Sequence, residues 1–181
     1  MKLLIASDIH GSAYYCAQLI ERIKAENPDR ILLLGDLLYH GPRNALPTDY
    51  SCPETWDLLN AIKDKIVAVR GNCDSEVDQM VLEFPVLADY AVLCEGTTMI
   101  YCTHGHVYNT GKLPPLQKGD VLLHGHTHIP AWEDHGSYRY LNPGSVSIPK
   151  ENSWHGYMVL ENGLFTWKDF DGNVRHQLAL N

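Results

Sequence analysis

The chain has 181 residues, 45% of them hydrophobic and 20% charged, a balance that suits one soluble globular domain spanning residues 1–181. Its formal net charge of −8 argues against a nucleic-acid-binding face, which is normally basic, and disfavours an anionic substrate unless bound cations reverse the local field. The first residues lack the basic and apolar regions of a signal peptide, and no apolar run approaches the roughly 20 residues that span a bilayer, so a cytoplasmic location with no membrane partner is expected.

The apolar run Leu3, Leu4, Ile5 and Ala6 predicts a buried strand. It leads into Asp8-Ile9-His10-Gly11, and in extended backbone residues i and i+2 project to one side. On that reading Asp8 and His10 bring a carboxylate and an imidazole to one point, as a metal ion requires. Residues 12–26 carry Ala13, Cys16, Ala17, Leu19, Ile20 and Ile23 at near-helical spacing, with Ser12 as N-cap and Asn27-Pro28-Asp29 as the stop. A second buried strand over 30–34 runs into Gly35-Asp36, so this β-α-β unit places two parallel strands in one sheet. Ligands of such sheets collect at the carboxyl ends of the strands, where Asp8, His10 and Asp36 all fall.

Residues 37–53 read as a long loop punctuated by Pro42, Pro47 and Pro53, and loops of this length are usually functional. It carries His40 and Arg43 beside the site and is read as a substrate loop. A helix over 54–63 and a strand over 65–69 follow, ending in Arg70-Gly71-Asn72-Cys73-Asp74. Beyond this, short alternating segments at 91–94, 98–102, 121–124, 138–141, 156–160 and 164–167 predict a second sheet packed on the first. The fold class is therefore α/β, with two facing mixed sheets in a β-sandwich flanked by α-helices. Two of the strands end in histidine-rich turns, Thr103-His104-Gly105-His106 and His124-Gly125-His126-Thr127-His128. Cys16, Cys52, Cys73, Cys94 and Cys102 are odd in number with no C-x-x-C pair, which predicts reduced and mostly buried thiols.

The ordered series Asp8-x-His10, Gly35-Asp36, Gly71-Asn72, His104-Gly105 and Gly125-His126-Thr127-His128 resembles the calcineurin-like metallophosphoesterase superfamily. The stretch from Asp36 to Asn44 and the turn Asn142-Pro143-Gly144-Ser145 place it nearest the small bacterial phosphodiesterases of that superfamily. The resemblance implies that Asp8, His10 and His128 hold one metal, that Asp36 bridges to a second, and that Asn72, His104 and His126 complete the second site. A donor set of oxygen and imidazole nitrogen without thiolate favours Mn²⁺, with Fe, Ni, Co or Zn as substitutes. It further implies in-line attack on phosphorus by a hydroxide shared between two divalent ions, with Asp36, Asn72, His104 and Cys73 at the reaction centre. Asn72, His40 and Arg43 are the expected substrate contacts.

Many relatives carry a histidine where this chain has Cys73. A thiol is a feeble general acid for an alkoxide, so phosphodiesters with good, aryl-type leaving groups are the expected substrates. Phosphomonoesterase, nuclease, and non-catalytic scaffold (a retromer-type use of the fold) are the alternatives. The missing histidine weighs against the first, the acidic charge against the second, and the presence of Asp36 against the third. His106 and His124 are expected to support the site rather than ligate, Arg70 to be structural, and His135, His155 and His176 to lie at the surface. Tyr14, Tyr15, Trp154 and Trp167 suit either the core or an interface between copies of the chain.

Overall fold

The computed structural model describes residues 1–180, and its strands form two facing sheets. The first, six-stranded, runs β11-β10-β9-β1-β2-β3, built from β1 (Lys2–Ala6), β2 (Arg30–Leu33), β3 (Ile66–Ala68), β9 (Gly156–Glu161), β10 (Leu164–Asp169) and β11 (Val174–Ala179). The second, five-stranded, runs β4-β5-β6-β8-β7, from β4 (Ala91–Glu95), β5 (Thr98–Thr103), β6 (Asp120–His124), β7 (Pro130–Asp134) and β8 (Tyr138–Pro143). Both sheets are mixed. Parallel β1, β2 and β3 join antiparallel β9 to β11, and parallel β5, β6 and β8 are flanked by antiparallel β4 and β7.

β1 shows why the sandwich forms. Its alternate side chains serve two cores: Leu4 and Ala6 face the helices, while Leu3 and Ile5 meet Ile100, Cys102, Val121, Leu123 and Leu141 of the second sheet. α1 (Ala13–Glu26) lays Cys16, Leu19, Ile20 and Ile23 on the outer face of the first sheet. Ser12 Oγ caps its start by accepting from Tyr15 N at 3.3 Å, and Asn27 ends it in the left-handed region at φ 45°. α2 (Cys52–Asn60) begins two residues before the expected start because Ser51 is its N-cap and Pro53 sits in its first turn, where no N–H is needed. A short α3 (Glu76–Gln79) follows β3.

The helices cover only the first sheet. On the outer face of the second, Tyr101, Leu122, Tyr138 and Tyr140 are buried under the loop residues Tyr108 and Leu116. β7, β11 and α3 were not expected from the sequence, because each is short and largely exposed, without the apolar run that marks an inner strand. Trp167 lies fully in the sandwich core and donates Nε1–H to Asn142 O at 2.7 Å, whereas Tyr14 is exposed and Tyr15 and Trp154 are half-buried. The five thiols are free, but only Cys16 and Cys102 are buried; Cys52 and Cys73 are half-buried and Cys94 is exposed, which corrects the expectation of mostly buried cysteines. His135 is exposed as expected. His155 and His176 are half-covered, stacked on Tyr15 at 3.9 Å and on Trp132 at 4.1 Å.

Candidate metal centre

Asp8 and His10 follow β1, Asp36 follows β2, Asn72 follows β3, His104 follows β5, and His126 and His128 follow β6. All seven lie just past the carboxyl ends of strands in the two sheets, on connections at one end of the sandwich. They do not converge by strand alternation, as the i, i+2 spacing suggested. Asp8, His10, Asp36, His126 and His128 take φ of 60°, 50°, 56°, 66° and 63°, the left-handed region that side chains rarely enter. Each such residue costs on the order of 1–2 kcal/mol, and hydrogen bonds between distant loops hold it there. Asp8 N donates to Gly35 O at 3.1 Å, His10 N to Asp36 O at 2.9 Å, and His126 N to Asp8 Oδ2 at 3.0 Å.

Two close groups of donor atoms result. In one, His10 Nε2 and His128 Nε2 lie 3.3 Å apart, with Asp8 Oδ1 at 3.5 Å from the first and 3.2 Å from the second. In the other, His104 Nε2 is 3.1 Å from both Asn72 Oδ1 and His126 Nδ1 and 3.4 Å from Asp36 Oδ2. Asp36 Oδ2 also stands 3.6 Å from His10 Nε2, so it belongs to both groups. Separations of this size match the edges of a coordination shell, since ligands about 2.1 Å from a divalent ion in tetrahedral array are roughly 3.4 Å apart.

The hydrogen-bond pattern fits a cation as well. His10 Nδ1 bonds Tyr39 O at 2.8 Å, His104 Nδ1 bonds Leu34 O at 2.7 Å and His128 Nδ1 bonds Ile148 O at 2.7 Å. A carbonyl can only accept, so each ring carries a proton on Nδ1 and, when neutral, turns the lone pair of Nε2 inward. Asp8 Oδ1 is fully buried with no hydrogen-bond donor among the described residues. Lone pairs facing one another at these distances, beside an unpartnered carboxylate oxygen, are the donor arrangement a metal ion satisfies.

Without a cation the two carboxylates draw protons onto the facing imidazoles, and a bound metal ion would displace those protons. Burial pushes the Asp8 carboxyl up, but the His10 and His128 imidazoles overcome it and hold it well below the usual range. Burial lowers His104, while Asp36 and Asp8 raise it to about 9. His126, pushed down by burial and by His104 to about 4, stays neutral and ready to ligate. Glycines let these groups approach: a Cβ on Gly125 would overlap Ser7 Oγ and Asp8 Oδ2, and one on Gly71 would overlap the Asp36 carboxylate.

A cavity of about 510 Å³ opens over the cluster, lined by Asp36, Asn72, Cys73, His126 and His128 and by Gly41, Pro42, Arg43, Asn44, Thr127 and Lys150. Arg43 thus stands where the sequence put it. His40, expected to contact substrate, does not line this cavity; its ring packs edge-on against Tyr39 and Tyr50, and its carbonyl accepts from Asn44 Nδ2 at 2.8 Å. The Cys73 thiol faces the cavity and is pushed up to about 12 by burial and by the Asp36 charge. The Cys73 sulfur lies within 4.8 Å of ligand atoms of His10 and Asp36, close enough to share an ion with them. His124 is buried against the Tyr140 ring at 4.4 Å, and His106 is exposed, its ring 5.4 Å from that of His104.

The sequence reading missed three supports of the site. Asp74, buried, accepts from the backbone N–H groups of Asp36, Leu37 and Gly71 at 2.8, 2.8 and 2.7 Å and so ties the β2 and β3 turns together. Ser145 and Ser147 donate to Asp8 O at 2.9 and 3.2 Å. Lys150 reaches the cavity from a loop tethered to His128 O. Asp74 and Ser145 lie in turns that the sequence marks, Gly71-Asn72-Cys73-Asp74 and Asn142-Pro143-Gly144-Ser145, but nothing local shows what they bond; Ser147 and Lys150 look like any surface residues.

Comparison with known proteins agrees with this geometry. Residues 1–163 match the calcineurin-like phosphoesterase superfamily domain. The chain is 42% identical to phosphodiesterase YfcE of Escherichia coli K12 over 182 residues, covering 100% of this chain and 99% of that one. It is 27% identical to the probable metallophosphoesterase YsnB of Bacillus subtilis, with 94% and 91% covered. The solved structure of the Escherichia coli phosphoesterase superposes over 100% of both chains with a TM-score of 0.96. Wild-type Vps29 of Entamoeba histolytica, solved with zinc, shares the fold at 21% identity and a TM-score of 0.62, again over 100% of both chains. By sequence and by fold, the chain belongs to the calcineurin-like phosphoesterase superfamily.

Proposed function

We propose that the chain is a metal-dependent phosphodiesterase that works with two divalent ions and favours esters with good leaving groups. The observation that carries this reading is the pair of donor groups sharing Asp36 Oδ2, because two neighbouring cations need an anionic bridge. Asp8, His10 and His128 would hold one ion, Asn72, His104 and His126 the other, and Asp36 both. Bound there, the ions supply Lewis-acid activation of water and neutralise charge on the phosphoryl oxygens. The donor set favours Mn²⁺, with Fe, Ni, Co or Zn as substitutes.

The remaining steps belong to the chain's own groups. Asp36 is oriented by the Cys73 N–H, which donates to Oδ1 at 2.8 Å and leaves Oδ2 facing both clusters. Asn72 directs Oδ1 toward His104 and donates from Nδ2 to Cys73 Sγ at 3.2 Å, so its amide also faces the cavity where the phosphoryl group sits. Arg43 and Asn44 line the same cavity. Cys73 lines the cavity at the sequence position where many relatives carry a histidine, and a thiol is a poor general acid for an alkoxide. Aryl leaving groups, which depart without a proton, are thus the ones this site handles best. Its small-molecule substrates are diesters; an acidic chain without a basic groove is a poor nuclease.

The test is hydrolysis of bis(p-nitrophenyl) phosphate and p-nitrophenyl phosphate by protein supplied in turn with Mn²⁺, Co²⁺, Ni²⁺ and Zn²⁺. Metal-dependent turnover of the diester, a much weaker monoester rate, and loss of both metal binding and activity in Asp36→Asn are expected. Absence of diester hydrolysis with every metal would leave a scaffold role instead.

A further inference from the structure

A diester of phosphoric acid carries one negative charge, and the metal centre already faces it. The same cavity is nevertheless lined by two further basic residues, Arg43 and Lys150, both exposed and on separate loops. Most of the chain's 14 lysines and arginines are engaged, as in Lys2 and Lys168 on Glu26, Arg70 on Glu76 or Arg175 on Asp169. Neither Arg43 nor Lys150 uses its side chain in a hydrogen bond or ion pair among the described residues. Two unpaired cations in one cavity of a chain with net charge −8 repel each other and attract the same kind of ligand.

Both are also held in place by backbone. Lys150 N donates to His128 O at 3.1 Å and Lys150 O accepts from Ser153 N at 3.0 Å; His128 Nδ1 in turn bonds Ile148 O at 2.7 Å. The loop bearing Lys150 is thus stitched on both sides to a residue of the metal centre. The Arg43 loop is closed by Asn44 N on Gly41 O at 3.2 Å and Asn44 Nδ2 on His40 O at 2.8 Å. A cavity of about 510 Å³ is of ordinary size for a small-molecule ligand and holds more than a single phosphoryl group.

From this juxtaposition we infer that Arg43 and Lys150 form a second anion subsite, and that the preferred substrates are phosphodiesters whose ester arm carries a further phosphate. The inference rests on the diesterase reading and names the substrate class of that same cavity. An uncharged aryl diester would then be only a partial substrate, bound at the scissile phosphate alone.

Two probes with the same scissile bond and leaving group isolate the subsite: the p-nitrophenyl ester of thymidine 5′-phosphate, and the same compound bearing a 3′-phosphate. With Mn²⁺ present, the 3′-phosphorylated ester is expected to show a kcat/KM higher by about tenfold, expressed in KM. Lys150→Ala and Arg43→Ala should each reduce that ratio toward one, and Lys150→Arg should retain it. Calorimetric binding of thymidine 3′,5′-bisphosphate against thymidine 5′-phosphate gives the same comparison without turnover. Equal kcat/KM and equal binding for the two members of each pair would overturn the subsite, as would a preference that survives both alanine variants. If neither ester is hydrolysed but the bisphosphate binds more tightly through Lys150 and Arg43, the diesterase reading fails while the subsite stands.

Discussion

Asp74 offers the sharpest test of how the metal centre is supported. Its carboxylate takes three buried backbone N–H groups, Asp36 N and Gly71 N on Oδ2 and Leu37 N on Oδ1. Burial and the Asp36 charge push Asp74 up against the pull of these donors, so the acceptors rather than the net charge are what the fold uses. In Asp74→Asn one oxygen becomes an NH₂ group. The better orientation keeps the two bonds at Oδ2 and sets NH₂ against the Leu37 N–H, leaving that donor unsatisfied. An unsatisfied buried donor costs about 1–3 kcal/mol, and the opposed NH₂ adds to it, so a loss of about 2–3 kcal/mol is expected. For a chain of this size that corresponds to roughly 5–10 °C in Tm. Asp74→Ala orphans all three donors and should lose on the order of 3–6 kcal/mol. Urea unfolding of both variants at neutral pH reads the loss directly. Because Asp36 and Asn72 sit on the two turns that Asp74 joins, Mn²⁺ affinity should fall in the same order. An Asp74→Asn protein within about 0.5 kcal/mol of the parent, with unchanged metal affinity, would refute the reasoning.

Four further outcomes follow from the structure. Glu26, pushed up by burial but brought to about 2 by Lys168, Lys2 and Tyr157, stabilises the fold above the ordinary glutamate range, and that contribution fades as pH falls from about 4.5 toward 2. Discounted for solvent screening it amounts to about 1–2 kcal/mol, so Glu26→Gln should be less stable than the parent by that amount at pH 7 and equal to it near pH 2, as urea titrations at the two pH values would show. His104 must give up a proton held to about 9 before Nε2 can ligate, so Mn²⁺ affinity measured by calorimetry should rise about tenfold per pH unit from 7 toward 9, and a flat profile would show that Asp36 and Asp8 do not hold that proton. Cys73→His should raise the rate with alkyl leaving groups far more than with nitrophenyl ones, and an unchanged leaving-group dependence would take Cys73 out of the proton-transfer position. Gly125→Ala forces Ser7 and Asp8 to move, with an expected loss of about 1–3 kcal/mol in thermal unfolding and a weaker metal site; a neutral result would show that the β6 turn has room to shift.

Much of this was legible in the chain itself. Inner strands such as β1, β2 and β6 are short apolar runs buried on both sides, which is the pattern the sequence shows directly. The motif residues at the strand ends named the superfamily and the candidate ligands. What stayed hidden was whatever depends on contacts between residues far apart in sequence. β7 and β11 are outer strands whose exposed faces carry no apolar signal. The packing of the His40 ring on Tyr39 and Tyr50 is of this kind, since nothing in the local pattern marks Tyr50 as its neighbour.

The sequence by itself determined which side chains can ligate and which strand each one follows, because those are properties of residue type and local hydrophobic pattern. Tertiary structure alone decided how they meet. Five of the candidate ligands have their backbone turned into a left-handed conformation that local sterics oppose, and the bonds that hold it link positions as distant as Asp8 and His126. The same holds for Asp74 and Lys150, whose neighbours, not their identities, give them a place in the site.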